Sequence, residues 1–216
     1  MHLPTLLLAL TTLTTATPLP FPFNFKAFKH ADDATTITQA QMETIAPKST
    51  SCDNPPAKDE CATGKQAAKF TSQSFDTYKV TNKAEQAAII SLMAFESDDF
   101  RYNKNHFPGV AGQGTRNMQS PAYNKKYASS IPALKDQLAS VSNDPADLLD
   151  LLRNDGAYDF GSGAWFLTTQ CSKDVRTALA KGDETGWSRY ISDCVGTSVT
   201  DERKEYWERA VKALGV

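Results

Sequence analysis

The stretch NKAEQAAIISLMAFES, residues 82–97, decides how the rest of the chain is read. Asn82 followed three residues later by Glu85 has the form of a helix N-cap and its reciprocal partner. Ile89, Leu92, Met93 and Glu96 then recur at helical spacing, which predicts a helix whose apolar face carries one acid. Ser97-Asp98-Asp99 ends the run, so Glu96 falls in the last turn. A carboxyl group packed among apolar neighbours at the negative end of a helix dipole is favoured to keep its proton. Proton donation to a leaving oxygen needs such a group. The plainer alternative is an acid that ends the helix in water or pairs with Arg101 or Lys104.

Working outward, most signals are helical. Pro132 precedes Leu134 and Leu138. Asp144 and Pro145 open NDPADLLDLLRNDG, with Asn154-Asp155-Gly156 read as its exit turn. Ser162, Ser172 and Thr200 are read as caps of three further helices, the last bearing the four-apart pairs Glu205–Arg209 and Glu208–Lys212. Strand-like alternation is confined to FDTYKVT (75–81), and the Gly-rich 107–120 is expected to form a short hairpin or an extended loop. Trp187 and Trp207 read as core. The expected fold is mainly α with one small irregular or β-hairpin lobe.

The chain has 216 residues, 40% of them hydrophobic, with 23 Lys and Arg against 25 Asp and Glu. That is ample for one core and excludes a basic nucleic-acid footprint. LPTLLLALTTLTTA near the start reads as a secretory signal over 1–17, too short to span a bilayer. Residues 18–50 read as a flexible leader or pro-segment, and 51–216 as the domain. The protein is therefore expected to be secreted and monomeric, without a membrane or nucleic-acid partner.

Cys52, Cys61, Cys171 and Cys194 suit an oxidising compartment. Of three possible pairings, Cys52–Cys61 and Cys171–Cys194 are favoured because each closes a short local loop. A zinc site is not supported: there is no C-x-x-C, and His2, His30 and His106 lack ligand spacing. No metal or cofactor is expected.

Glu96-Ser97, followed by a loop containing Gly112 and Gly114 and ending in Met118-Gln119, resembles the lysozyme-like superfamily, particularly goose-type lysozymes and soluble lytic transglycosylases. The resemblance implies a lysozyme-like helical domain acting as a secreted muramidase on peptidoglycan, with Glu96 as general acid and hydrolase and transglycosylase routes both open. Hydrolysis by two carboxylates needs a second acid. No Asp lies between Phe100 and Lys135, so Asp159 and Asp99 are the candidates. Gln119, Met118, Asn117, Tyr123 and Trp165 are the candidate sugar contacts. The alternatives are a chitinase- or chitosanase-type hydrolase and a non-catalytic glycan-binding protein or effector.

Overall fold

The structure, a computed structural model, describes residues 34–141 and 144–216. The expected signal peptide and residues 18–33 of the expected leader lie outside the described residues. Among the described residues the fold is mainly helical. The helices are α1 (Gln39–Ile45), α2 (Gly64–Tyr78), α3 (Lys83–Glu96), α4 (Pro121–Ser129) and α5 (Lys135–Ser140). They continue as α6 (Pro145–Arg153), α7 (Gly156–Gln170), α8 (Lys173–Leu179), α9 (Glu184–Arg189) and α10 (Asp201–Leu214), with a π-helical turn over Tyr190–Val195. No strand is formed among the described residues. The expected hairpin lobe amounts to isolated bridges from Gly114 to Lys104 and to Gln119.

The 82–97 stretch becomes α3, and Asn82 caps it by accepting from the amides of Ala84 and Glu85. Its burial exceeds the expected single face: every residue from Ala84 to Ala94 is buried. A helix apolar all round belongs at the centre of a fold, and α3 sits there, packed against α10 and α7. Glu85 does not turn back to its cap. Its carboxylate instead takes the Arg176 guanidinium at 2.8 and 3.1 Å, tying α3 to α8. The large core cluster gathers Met42, Phe75, Ile89, Met93, Leu167 and the Trp187–Trp207 stack, whose rings lie 5.0 Å apart. A smaller cluster under α4 and α6 holds Tyr127, Leu152, Trp165 and Phe166.

Three readings need correction. The packed domain includes residues before Cys52: α1 buries Met42 and Ile45, and Ile37 donates to Ser72 Oγ at 2.9 Å, so residues 34–50 pack onto the core. Of the weakly alternating 75–81, residues 75–78 are the last turn of α2, because Ala67, Ala68, Thr71, Ser74 and Phe75 follow a helical period into the core. Asn154-Asp155-Gly156 begins a helix rather than only ending one. Asp155 caps α7 through the Ala157 amide, which leaves Ser162 buried in mid-helix instead of at a cap. The favoured disulfides, Cys52–Cys61 and Cys171–Cys194, are both present.

Candidate functional site

Glu96 ends α3 at the rim of a cleft of about 290 Å³. Leu92 of α3, Met118, Tyr123 of α4, Phe166 of α7 and Val195 of the π turn make its apolar side. Gln113, Asn117, Gln119 and Arg203 of α10 make its polar side.

The acid is not dry. Its side chain is 21% exposed and accepts from Arg203 Nη1 at 2.5 Å, and the guanidinium also lies 4.3 Å from the Phe95 ring centre. Neither Arg101 nor Lys104 is this partner: Arg101 bonds Asp98, and Lys104 lies 3.7 Å from Glu60.

The chain leaves α3 through an unusual turn. Asp98, Asp99 and Phe100 have φ of 51°, 61° and 65°, three consecutive L residues in the left-handed region. Each costs about 1–2 kcal/mol, so surrounding contacts must impose the turn. They do so from several directions. Asp99 accepts from the Lys48 amide at 2.8 Å and from the Tyr206 hydroxyl at 2.6 Å. Phe100 is fully buried with its ring 5.5 Å from that of Phe160. Asp98 bonds Lys48 and Arg101; burial pushes its carboxyl up, but these two cations outweigh burial and hold it below the usual range. Asp99 is thus a buried pin of the turn, not a lining residue of the cleft.

The cleft floor is a row of side-chain amides. Asn117 Oδ1 accepts from Thr115 Oγ1 and Ser162 Oγ, both at 2.9 Å. Asn117 Nδ2 donates to Gln119 Oε1 at 3.2 Å, and Gln119 Nε2 donates to Asn124 Oδ1 at 2.8 Å. Asn124 Nδ2 closes the row on the Gly112 carbonyl at 2.8 Å. Every amide is thereby oriented. Each amide nitrogen carries two hydrogens, so Asn117 and Gln119 each keep one beyond these bonds.

Asp159 lies apart, in a second buried polar centre. Arg116 Nε donates to Asp159 Oδ2 at 2.7 Å. Its other nitrogens donate to the carbonyls of Phe100 (2.7 Å), Tyr102 (3.0 Å) and Glu60 (2.7 Å). Burial raises the Asp159 carboxyl to about 6 against the pull of Arg116 and the Asn103 amide. Trp165 is also placed elsewhere: only 3% exposed, it packs 5.1 Å from the Tyr127 ring. Of the sequence candidates, the fold brings together Glu96, Asn117, Met118, Gln119 and Tyr123, and leaves out Asp99, Asp159 and Trp165. The sequence reading missed Arg203, Gln113 and Val195. Arg203 lies in the helix marked in the sequence only by its four-apart charge pairs, and nothing local marks a partner 107 positions away.

No protein-family model matches the chain, and no solved structure matches it. The chain is 47% identical over 158 residues to a bifunctional dioxygenase–epoxy alcohol synthase of Fusarium oxysporum (strain Fo5176). The match covers 70% of this chain and 12% of that protein, so the chain spans a small part of its relative's length.

Oxygen-activating iron takes imidazole, thiolate or carboxylate ligands. Among the described residues these donors do not gather into a site built from side chains alone. All four cysteines are in disulfides, and His106 Nε2 is engaged by Glu60 at 2.9 Å. No group of three or more His, Cys, Asp and Glu gathers among them as a metal site.

The comparison corrects the expected kinship. Its relative is an oxidative enzyme, not a glycoside hydrolase, so the lysozyme-like resemblance, peptidoglycan or chitin cleavage and the glycan partner do not stand. The protein is similar over most of its length to a segment of a dioxygenase–epoxy alcohol synthase.

Proposed function

We propose that this chain is a binding module for a small oxygenated amphiphile, allied to the chemistry of its relative without activating oxygen itself. The oriented amide floor carries the reading. Hydrogens of Asn117 and Gln119 beyond the amide row, with the remaining N–H groups of Arg203, favour a ligand that supplies oxygen acceptors. The apolar side formed by Leu92, Met118, Tyr123, Phe166 and Val195 favours a carbon chain on the same molecule. An epoxy alcohol, the product class in the relative's name, has both parts. The poor fit of the described residues to an iron centre supports a holding role over an oxidising one.

Isothermal titration with a medium-chain epoxy alcohol, and with the alkene of equal length, tests this. The epoxy alcohol should bind and the alkene should not. Gln119→Ala should weaken binding about tenfold, the loss of roughly one hydrogen bond. Equal affinity for the two ligands, or none for either, rejects the reading.

A further inference from the structure

Glu96 is the one carboxylate among the described residues that line the cleft. Its neighbours Asn117, Gln119 and Arg203 offer donors, whereas a carboxylate paired with arginine only accepts. Arg203 holds Oε1 at 2.5 Å, and among the described residues no hydrogen bond reaches Oε2. The side chain is 21% exposed at the rim, so water reaches the carboxylate where the apolar wall of Leu92, Tyr123 and Phe166 begins. The group is also held from behind. Ser97, next in the chain, is fully buried, donates to the Met93 carbonyl at 2.6 Å and accepts from the Phe100 amide at 3.0 Å.

The amide floor supplies the complementary half. The spare hydrogens of Asn117 and Gln119 suit an epoxide oxygen, which accepts and cannot donate. Both side chains are buried and already oriented by their neighbours, so they need no rearrangement to meet a growing charge. Donors fixed in this way stabilise an oxygen more as negative charge develops on it. Opening a three-membered ring by water requires an acceptor for the water's proton and a cradle for the departing oxygen. Both line one cleft of about 290 Å³.

We propose that the cleft hydrolyses the epoxide it holds, with Glu96 as general base for the attacking water and Asn117 and Gln119 as donors to the ring oxygen. The inference rests on the ligand proposed above and adds a reaction to it. A water O–H bond breaks toward Glu96 as the water oxygen bonds to one ring carbon. The C–O bond at that carbon breaks, and its electron pair stays on the ring oxygen between the two amides. That oxygen then takes the proton back from Glu96. One water is consumed and nothing is oxidised or reduced: the epoxide becomes a vicinal diol, and an epoxy alcohol becomes a triol. Arg203 is a positioning residue that fixes the carboxylate.

The test incubates the full chain, in excess, with a racemic medium-chain epoxy alcohol in oxygen-18 water and reads the products by chromatography and mass spectrometry. The triol should form faster than without protein, carry one heavy oxygen from the first turnover, and be enriched in one stereoisomer. An epoxide of equal length without the hydroxyl should be opened too. Glu96→Gln, which keeps an acceptor for Arg203, should retain its thermal transition and its affinity by titration while the rate falls at least about 100-fold. Binding without triol overturns the proposal and leaves the holding role in place, whereas no binding overturns both. A first-turnover triol without the heavy oxygen overturns the general-base role, because Glu96 would then have attacked the ring itself. Glu96→Gln that loses affinity but not rate overturns it as well, since the carboxylate would then only hold the ligand's hydroxyl. Wild-type triol formed at the uncatalysed rate as a racemate decides against the proposal whether or not the variant folds.

Discussion

Arg116 and Arg203 show how differently two guanidinium groups can be used in one small protein. Arg116 spends all its nitrogens on Asp159 and three backbone carbonyls, with both charged side chains nearly sealed from water. Removing one member of such a pair strands the other. Arg116→Met is therefore expected to cost about 3–5 kcal/mol, read from chemical denaturation. The pH dependence follows from Asp159. Its carboxyl is raised from the ordinary 3.8 to about 6 on folding, so the folded state binds more protons through that window. Its contribution is fully present below the unfolded value and is lost as pH rises through about 6. Asp159→Asn has no such titration, so wild-type stability should fall relative to the variant between pH 4 and 7. A parallel pair of profiles would disprove this account. Arg203 is the opposite case: its partner Glu96 is only partly covered. Arg203→Ala should cost about 1 kcal/mol in stability, nearer the exposed-pair range, and at least about tenfold in affinity at the cleft.

At the scale of elements, the helices were legible wherever cap and period agreed. Asn82, Asp144, Ser172 and Thr200 all cap as their side chains suggest. Failure came at Ser162, because the glycines flanking it serve a close approach rather than a helix start. A Cβ at Gly161 would stand 2.4 Å from the Tyr127 hydroxyl, and one at Gly163 3.0 Å from Ile89 and Met93. Both residues therefore lie inside α7 so that α4 and α3 can pack against it. That need is set by residues far away in sequence, and no local pattern announces it. The same limit hid the cleft's second half: Glu96 and Met118-Gln119 stood out as short motifs, whereas Arg203 and Val195 arrive only through tertiary packing. At the α8–α9 contact the neighbour is backbone, not a movable ring. A Cβ on Gly186 would meet the Ala178 carbonyl oxygen at 2.2 Å. Gly186→Ala should thus cost about 1–3 kcal/mol, as overpacking does, despite alanine's better helix propensity. A variant as stable as the parent would show that α8 and α9 separate freely.

Across the whole molecule, the two disulfides do different work because they close on different neighbours. Cys171–Cys194 ties the end of α7 to the π turn that delivers Val195 to the cleft, across 23 residues. Cys52–Cys61 spans 9 residues just before α2, and neither half lines the cleft. In the chain-entropy account, loop length enters only logarithmically, so the bridges should stabilise by about 3 kcal/mol each with little difference between them. Their effects on binding should differ. Replacing Cys171 and Cys194 by Ala releases the turn that carries Val195 from the end of α7, so affinity should fall together with the melting temperature. Replacing Cys52 and Cys61 by Ala should lower the melting temperature by a similar amount and leave affinity intact at temperatures where the variant is folded. If the two double variants lose affinity alike, the cleft responds to global stability and the π turn has no special part in shaping it.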